Sequence, residues 1–118
     1  MKITDTKTLH EVQMEFSKLY PGLKIEFYSE EHDLQRTSPS TQQLDTSNLI
    51  GDVRDIHETQ ELVIKPNDTV GEIEGTLKNL FGLNVQIFRK SKELWLQTSA
   101  TDGWTIEKQN LKGLHSMQ

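Results

Sequence analysis

The side chains in this chain best suited to chemistry are four histidines, His10, His32, His57 and His115, and a run of acids. A helical zinc hydrolase site asks for two histidines one turn apart with a glutamate between them. None of the four has that spacing. His10-Glu11 and His57-Glu58 are adjacent pairs, and adjacent residues on a helix or strand point in different directions. The densest cluster is "EEHD" at 30–33, where three acids and a histidine offer donors for a divalent cation. No second cluster is spaced to complete a coordination shell, so a solvated polar loop is the simpler reading. His32, His57 and the nearby acids define the alternative function, a small-ligand or metal-dependent enzyme.

Other enzyme signatures are missing from the sequence. There is no Gly-x-Ser-x-Gly elbow, phosphate-cradling glycine loop or dinucleotide fingerprint. With no cysteine, disulfides, thiolate metal sites and cysteine nucleophiles are excluded. Carboxylate pairs are plentiful, but no pattern brings two of them into one pocket, and geometry comes before pKa in choosing an acid and a base. The favoured reading is therefore non-enzymatic, with no catalytic, cofactor or metal residue assigned.

Composition narrows the partners. The chain has 118 residues, one domain's worth, with 33% hydrophobic and 26% charged residues. Its mean hydropathy is −0.64, so a small core must be built from few residues. A net charge of −5 argues against nucleic acid and anionic membrane surfaces, which need clustered Lys and Arg. The basic run Arg89, Lys90, Lys92 covers one turn and not a stripe. No stretch reaches the roughly 18 apolar residues of a membrane span. The opening "MKITDTKTLH" has no apolar core of a secretory signal. These features lead to the expectation of a cytoplasmic, soluble protein.

The positioning elements appear as an internal repeat. "DTKTLHEVQMEFSKLYPGLKIEF" and "NDTVGEIEGTLKNLFGLNVQIF" align at a constant offset, shortened by one after Pro21. Thr8-x-x-Glu11 and Thr69-x-x-Glu72 each read as a helix capping box. Leu9, Val12, Phe16 and Leu19 form one apolar helical stripe, and Val70, Ile73, Leu77 and Leu80 form its counterpart. Gly22 and Gly82 stand where a left-handed residue would end each helix. Gly71 and Gly75 lie inside the second helix. There they either open a groove for another backbone or are simply tolerated, the reading preferred here. After Gly22 and Gly82 the period drops to two, giving strands in which Leu23, Ile25 and Phe27 alternate with Lys24, Glu26 and Tyr28. Leu83, Val85 and Ile87 alternate in the same way with Asn84, Gln86 and Phe88. With short apolar segments ahead of each helix, the unit is strand–helix–strand, stated twice.

Between the units, residues 30–48 are polar, contain Ser-Pro-Ser and read as a flexible loop. "LIGDVRDIHETQ" suits either a helical turn or a strand. "LWLQT" continues the second unit as a hairpin strand. A C-terminal helix is expected from Asp102 to Gly113, with residues 114–118 as a frayed tail. The fold expected for 1–118 is a single α+β domain, a ferredoxin-like sandwich of two βαβ units plus an extra hairpin strand and helix.

The stretch "LVIKPNDTVGEIEGTLKNLFGL", residues 62–83, also resembles the strand–Pro-x-Asp-Thr–helix segment of ubiquitin-like proteins. That resemblance implies a β-grasp as the alternative, with "GDVRDI" pairing as a strand. The chain ends "HSMQ" without Gly-Gly, so that family's conjugation chemistry does not carry over. The whole chain, above all "TSATDGWTIEKQN", is similar to small bacterial α+β proteins of unsettled role, which implies no activity.

Strand parity supplies the candidate site. If Leu83, Val85, Ile87, Leu94 and Leu96 face the helices, then Tyr28, Phe88 and Trp95 face away, among Glu26, Gln86 and Gln97. Trp104, Ile106 and Leu111 would either cover this face or, through Trp104, join it. The expected function is a protein-interaction or self-association module. Its contact residues are Tyr28, Phe88, Trp95 and Trp104, and it takes a protein partner or a second copy, with no nucleic acid and no membrane.

Overall fold

The two capped stripes form helices because each threonine meets its orphan N–H groups. The structure, a computed structural model, describes residues 1–29 and 42–118. Helix α1 spans Leu9–Leu19. The Thr8 hydroxyl accepts the Glu11 N–H at 3.1 Å, and the Glu11 carboxylate accepts the Thr8 N–H at 3.2 Å. Helix α2 spans Val70–Phe81, and Thr69 accepts the Glu72 N–H at 3.1 Å. Both stripes end one residue later than the sequence suggests. Leu19 and Leu80 are exposed, whereas Phe81 is buried and Tyr20 packs against the core. A spacing of 3-4-4 follows the 3.6-residue turn better than 3-4-3.

The two helices stop by different means. Gly82 has φ 70° and ends α2 in the left-handed conformation, as expected. Gly22 does not, because Gly82 is the only glycine with positive φ among the described residues. Tyr20, at φ −133° and ψ 79°, closes α1 instead. Gly22 is required for space: its N–H donates to the Asn110 side chain at 2.8 Å, and an added Cβ would lie 2.8 Å from the Leu114 nitrogen.

Among the described residues, five strands form two antiparallel sheets. Strand β1 (Lys2–Ile3) pairs with β3 (Gln60–Glu61). The second sheet has the order β2–β4–β5, from Leu23–Tyr28, Asn84–Ser91 and Leu94–Gln97. The result is a three-helix α+β architecture. The described strands do not complete the ferredoxin-like sheet. That arrangement needs four strands in one sheet with the closing strands of the two units on opposite edges, whereas here β2 and β4 are neighbours. The pairing required by a β-grasp is not found either. Ile50–Asp52 is a single 3-10 turn, and β3 pairs with β1.

Helix α1 packs on β2, α2 on β4, and α3 (Ile106–Ser116) on both strands. Phe16, Leu23, Ile25, Phe27, Leu77, Ile87 and Ile106 are buried in one cluster. α3 begins later and ends later than expected. Its cap is Thr105, not Asp102, and it runs through Gly113. Gly113 marks a crossing and not a stop, because a Cβ there would collide with the Gly22 carbonyl. The Ser116 hydroxyl donates to the Lys90 carbonyl at 2.8 Å, which holds the segment expected to fray.

Residues 30–41, including His32 and the rest of "EEHD", lie outside the described residues. Residues 42–48, the remainder of the expected loop, are tied down. Leu44 donates its N–H to Phe27 at 2.8 Å, His10 to Thr46 at 2.9 Å, and Leu9 to Asn48 at 3.0 Å. No helix among the described residues is long and apolar enough to cross a membrane.

Candidate functional site

Register decides which side chains share the outer sheet face. Lys24 lies opposite Phe88, Glu26 opposite Gln86 and Tyr28 opposite Asn84; on the other edge Phe88 lies opposite Gln97 and Lys90 opposite Trp95. Directly opposed residues project to the same side of a sheet. Tyr28, Phe88 and Trp95 therefore share one face with Lys24, Glu26, Gln86, Lys90 and Gln97.

The face is not uniform. Tyr28 is only 3% exposed, and Gln86 is fully buried. Gln86 accepts from Ser99 at 3.2 Å, and Glu26 accepts from Gln43 at 2.9 Å and also from Gln13 of α1. At this end the face is closed by a polar network. Burial and the adjacent Glu26 charge push the Tyr28 phenol up to about 12. At the other end Trp95 remains 36% exposed. The Lys24 ammonium lies 5.1 Å from the centre of the Phe88 ring and 5.2 Å from that of Trp95, and Lys90 lies 5.0 Å from Trp95. Two cations over one indole hold the ring in place, each contact contributing about 0.5–1 kcal/mol at such exposure.

Trp104 is elsewhere. Arg89 lies opposite Leu96, hence on the helix-facing side, and donates to Gln109 of α3 at 2.9 Å. The Trp104 ring takes Arg89 at 5.3 Å and Lys108 at 4.1 Å. The final segment packs on the inner side with Ile106 in the core, so it does not cover Phe88 and Trp95. Leu94 and Leu96 have the expected inward parity, yet they project past the helices and are 66% and 40% exposed.

A groove of about 560 Å³ runs from α1 across the sheet edge, with His10, Met14, Lys24, Glu26, Asp45 and Trp95 among its lining residues. Its charges are mixed and it is widely open, features that suit a macromolecular surface better than a small-molecule pocket.

The remaining described histidines are dispersed. His115 is exposed on α3. The His57 Nδ1 lies 2.9 Å from Asp5 Oδ2, so its acid is Asp5. Asp5 also accepts from the Arg54 Nε at 2.9 Å; Arg54 donates further to the carbonyls of Phe81 and Glu58, each at 3.0 Å. Burial opposes ionisation of Asp5, but the hydrogen bonds and positive charge of Arg54 and His57 outweigh it and hold its pKa below 3.8. With the Arg54 side chain fully buried, this cluster pins the chain between β1, α2 and the 50–61 segment. Among the described residues no group of three His, Asp or Glu side chains could hold a metal ion.

Compared with known proteins, the chain matches no family model, no curated protein and no solved structure. The residues missed from sequence are Lys24 and Lys90. Alternation places Lys24 on the Tyr28 face, but only the cross-strand register brings its ammonium over two rings from two other strands.

Proposed function

We propose that the chain is a non-enzymatic interaction module that binds another protein or a second copy of itself through the Phe88–Trp95 end of its sheet. The observation that carries this reading is the exposed Trp95 indole, held by Lys24 and Lys90 and flanked along β5 by exposed Leu94 and Leu96. Protein-contact hot spots are rich in tryptophan held in fixed geometry with apolar surroundings. Tyr28 lies at the closed end of the same face and is left out of the contact surface, and Trp104 belongs to a separate, inner cluster.

The test is the paired substitution Phe88→Ala and Trp95→Ala. Circular dichroism should report an unchanged fold, because both side chains lie outside the core cluster. Affinity for the captured partner, or the self-association constant measured by light scattering, should fall about thirtyfold or more, the scale of losing a contact worth about 2 kcal/mol. A folded variant that keeps its oligomeric state and its partners would sink the reading.

A further inference from the structure

The two outer edges of the β2–β4–β5 sheet differ. On β2, the outward carbonyl of Ile25 accepts from the Gln13 side chain at 2.8 Å and that of Phe27 accepts from the Leu44 N–H at 2.8 Å. That edge is occupied. On β5 the ladder fixes which groups point where. The Ile87 carbonyl accepts the Thr98 N–H at 3.2 Å and so points to β5, while Lys90, opposite Trp95, donates its N–H to Gly22 at 2.9 Å and so points to the β2 side. Antiparallel pairs alternate. Leu94 and Leu96 therefore direct their backbone groups to β4, while the N–H and C=O of Trp95 point away from the sheet.

The side chains around that open edge separate by face. On the Trp95 face stand the ammonium groups of Lys24 and Lys90, and Lys90 has no carboxylate partner among the described residues. On the opposite face stand Leu94 and Leu96, both exposed. Arg89 faces the helices and Glu93 shares the turn with Lys92, so the cations offered on this face are Lys90 and, shared with Glu26 at 3.9 Å, Lys24.

Resting on the proposed interaction function, we infer that the occupant of this edge is an extended peptide segment that adds as a strand beside β5 and alternates carboxylate and aliphatic side chains. Its main chain pairs with the N–H and C=O of Trp95, the usual chemistry of strand addition. The residue opposite Trp95 projects onto the lysine face, where a carboxylate reaches across the indole to Lys90 and Lys24. Its two neighbours project onto Leu94 and Leu96. The charge match fixes register and favours acidic segments over basic ones.

The experiment uses the full chain carrying Trp104→Phe, which leaves Trp95 as the only tryptophan reporter. Acetyl-(Glu-Val)3-amide is titrated while Trp95 fluorescence is followed. Saturable change is expected, weakened by salt and weakened roughly tenfold or more by the pair Lys24→Glu and Lys90→Glu. The same peptide with alternate backbone N-methyl groups should not bind, and acetyl-(Lys-Val)3-amide should not bind. No response to the acidic peptide, or an equal response to the basic or N-methylated one, overturns the assignment. So does concentration-dependent dimerisation that competes with the peptide, because the occupant is then a second copy. Each of these failures leaves the Phe88 and Trp95 test of the surface itself standing, so the two results are distinguishable.

Discussion

Tyr28 marks where the outer sheet face stops being surface. Its parity matches that of Phe88 and Trp95, yet its ring is buried and its phenol is raised to about 12 by burial and by Glu26. An unfolded tyrosine ionises near pH 10, so the folded protein holds this proton more tightly. That contribution to stability is complete below about pH 10 and is lost as the pH rises towards 12. The phenolate absorbance of Tyr28 should appear near pH 12, and Tyr28→Phe should shrink the alkaline loss of stability. A phenolate appearing near pH 10 in the folded protein would contradict the burial. Alternation in the sequence is enough to place the three rings on one side. It is silent on depth, because depth depends on Gln13, Gln43 and Ser99 arriving from other elements.

The glycines show what can be read about elements. Gly22 and Gly82 occupy matching places after matching helices, but only Gly82 is left-handed. Gly22 is small because α3 crosses it, and Gly113 is small for the same reason. That crossing joins residues far apart in sequence, so no local pattern announces it. Gly113→Ala should therefore destabilise the protein by about 1–3 kcal/mol, since the methyl group meets backbone with nowhere to move. A methyl group added at Gly75 would meet no atom within 4 Å, so Gly75→Ala should stabilise α2 by up to about 1 kcal/mol. Urea titration of the two variants checks both signs. The caps are legible at Thr8 and Thr69 because each threonine meets an N–H three residues on, but only Thr8 forms the reciprocal box; the Glu72 carboxylate takes the Thr69 hydroxyl instead. The start of α3 is harder to place because Asp102 and Thr105 both suit a cap, and the bridge from Thr69 to Thr105 favours the later one.

For the whole molecule, class is legible and topology is not. Period changes predict helices and strands, but they do not say which strand meets which, and β2 beside β4 is a tertiary choice. Arg54 is part of that choice. One buried guanidinium reaches the turn after β1, the end of α2 and the 50–61 segment. Arg54→Met should cost about 1–3 kcal/mol for the stranded Phe81 carbonyl alone, measured by chemical denaturation. The Asp5 carboxylate adds an acid-side dependence. Its folded pKa is depressed, so its contribution is present above the unfolded value and lost as the pH falls through the folded one. Asp5→Asn should flatten that decline. A last consequence comes from the sealed flank of β2, where Gln13 and Leu44 already occupy the backbone. A ribbon that can be lengthened on one side only cannot propagate. With β2 closed, the β5 edge of one copy meets no open β2 edge on another, so head-to-tail joining of copies through these two strands is blocked.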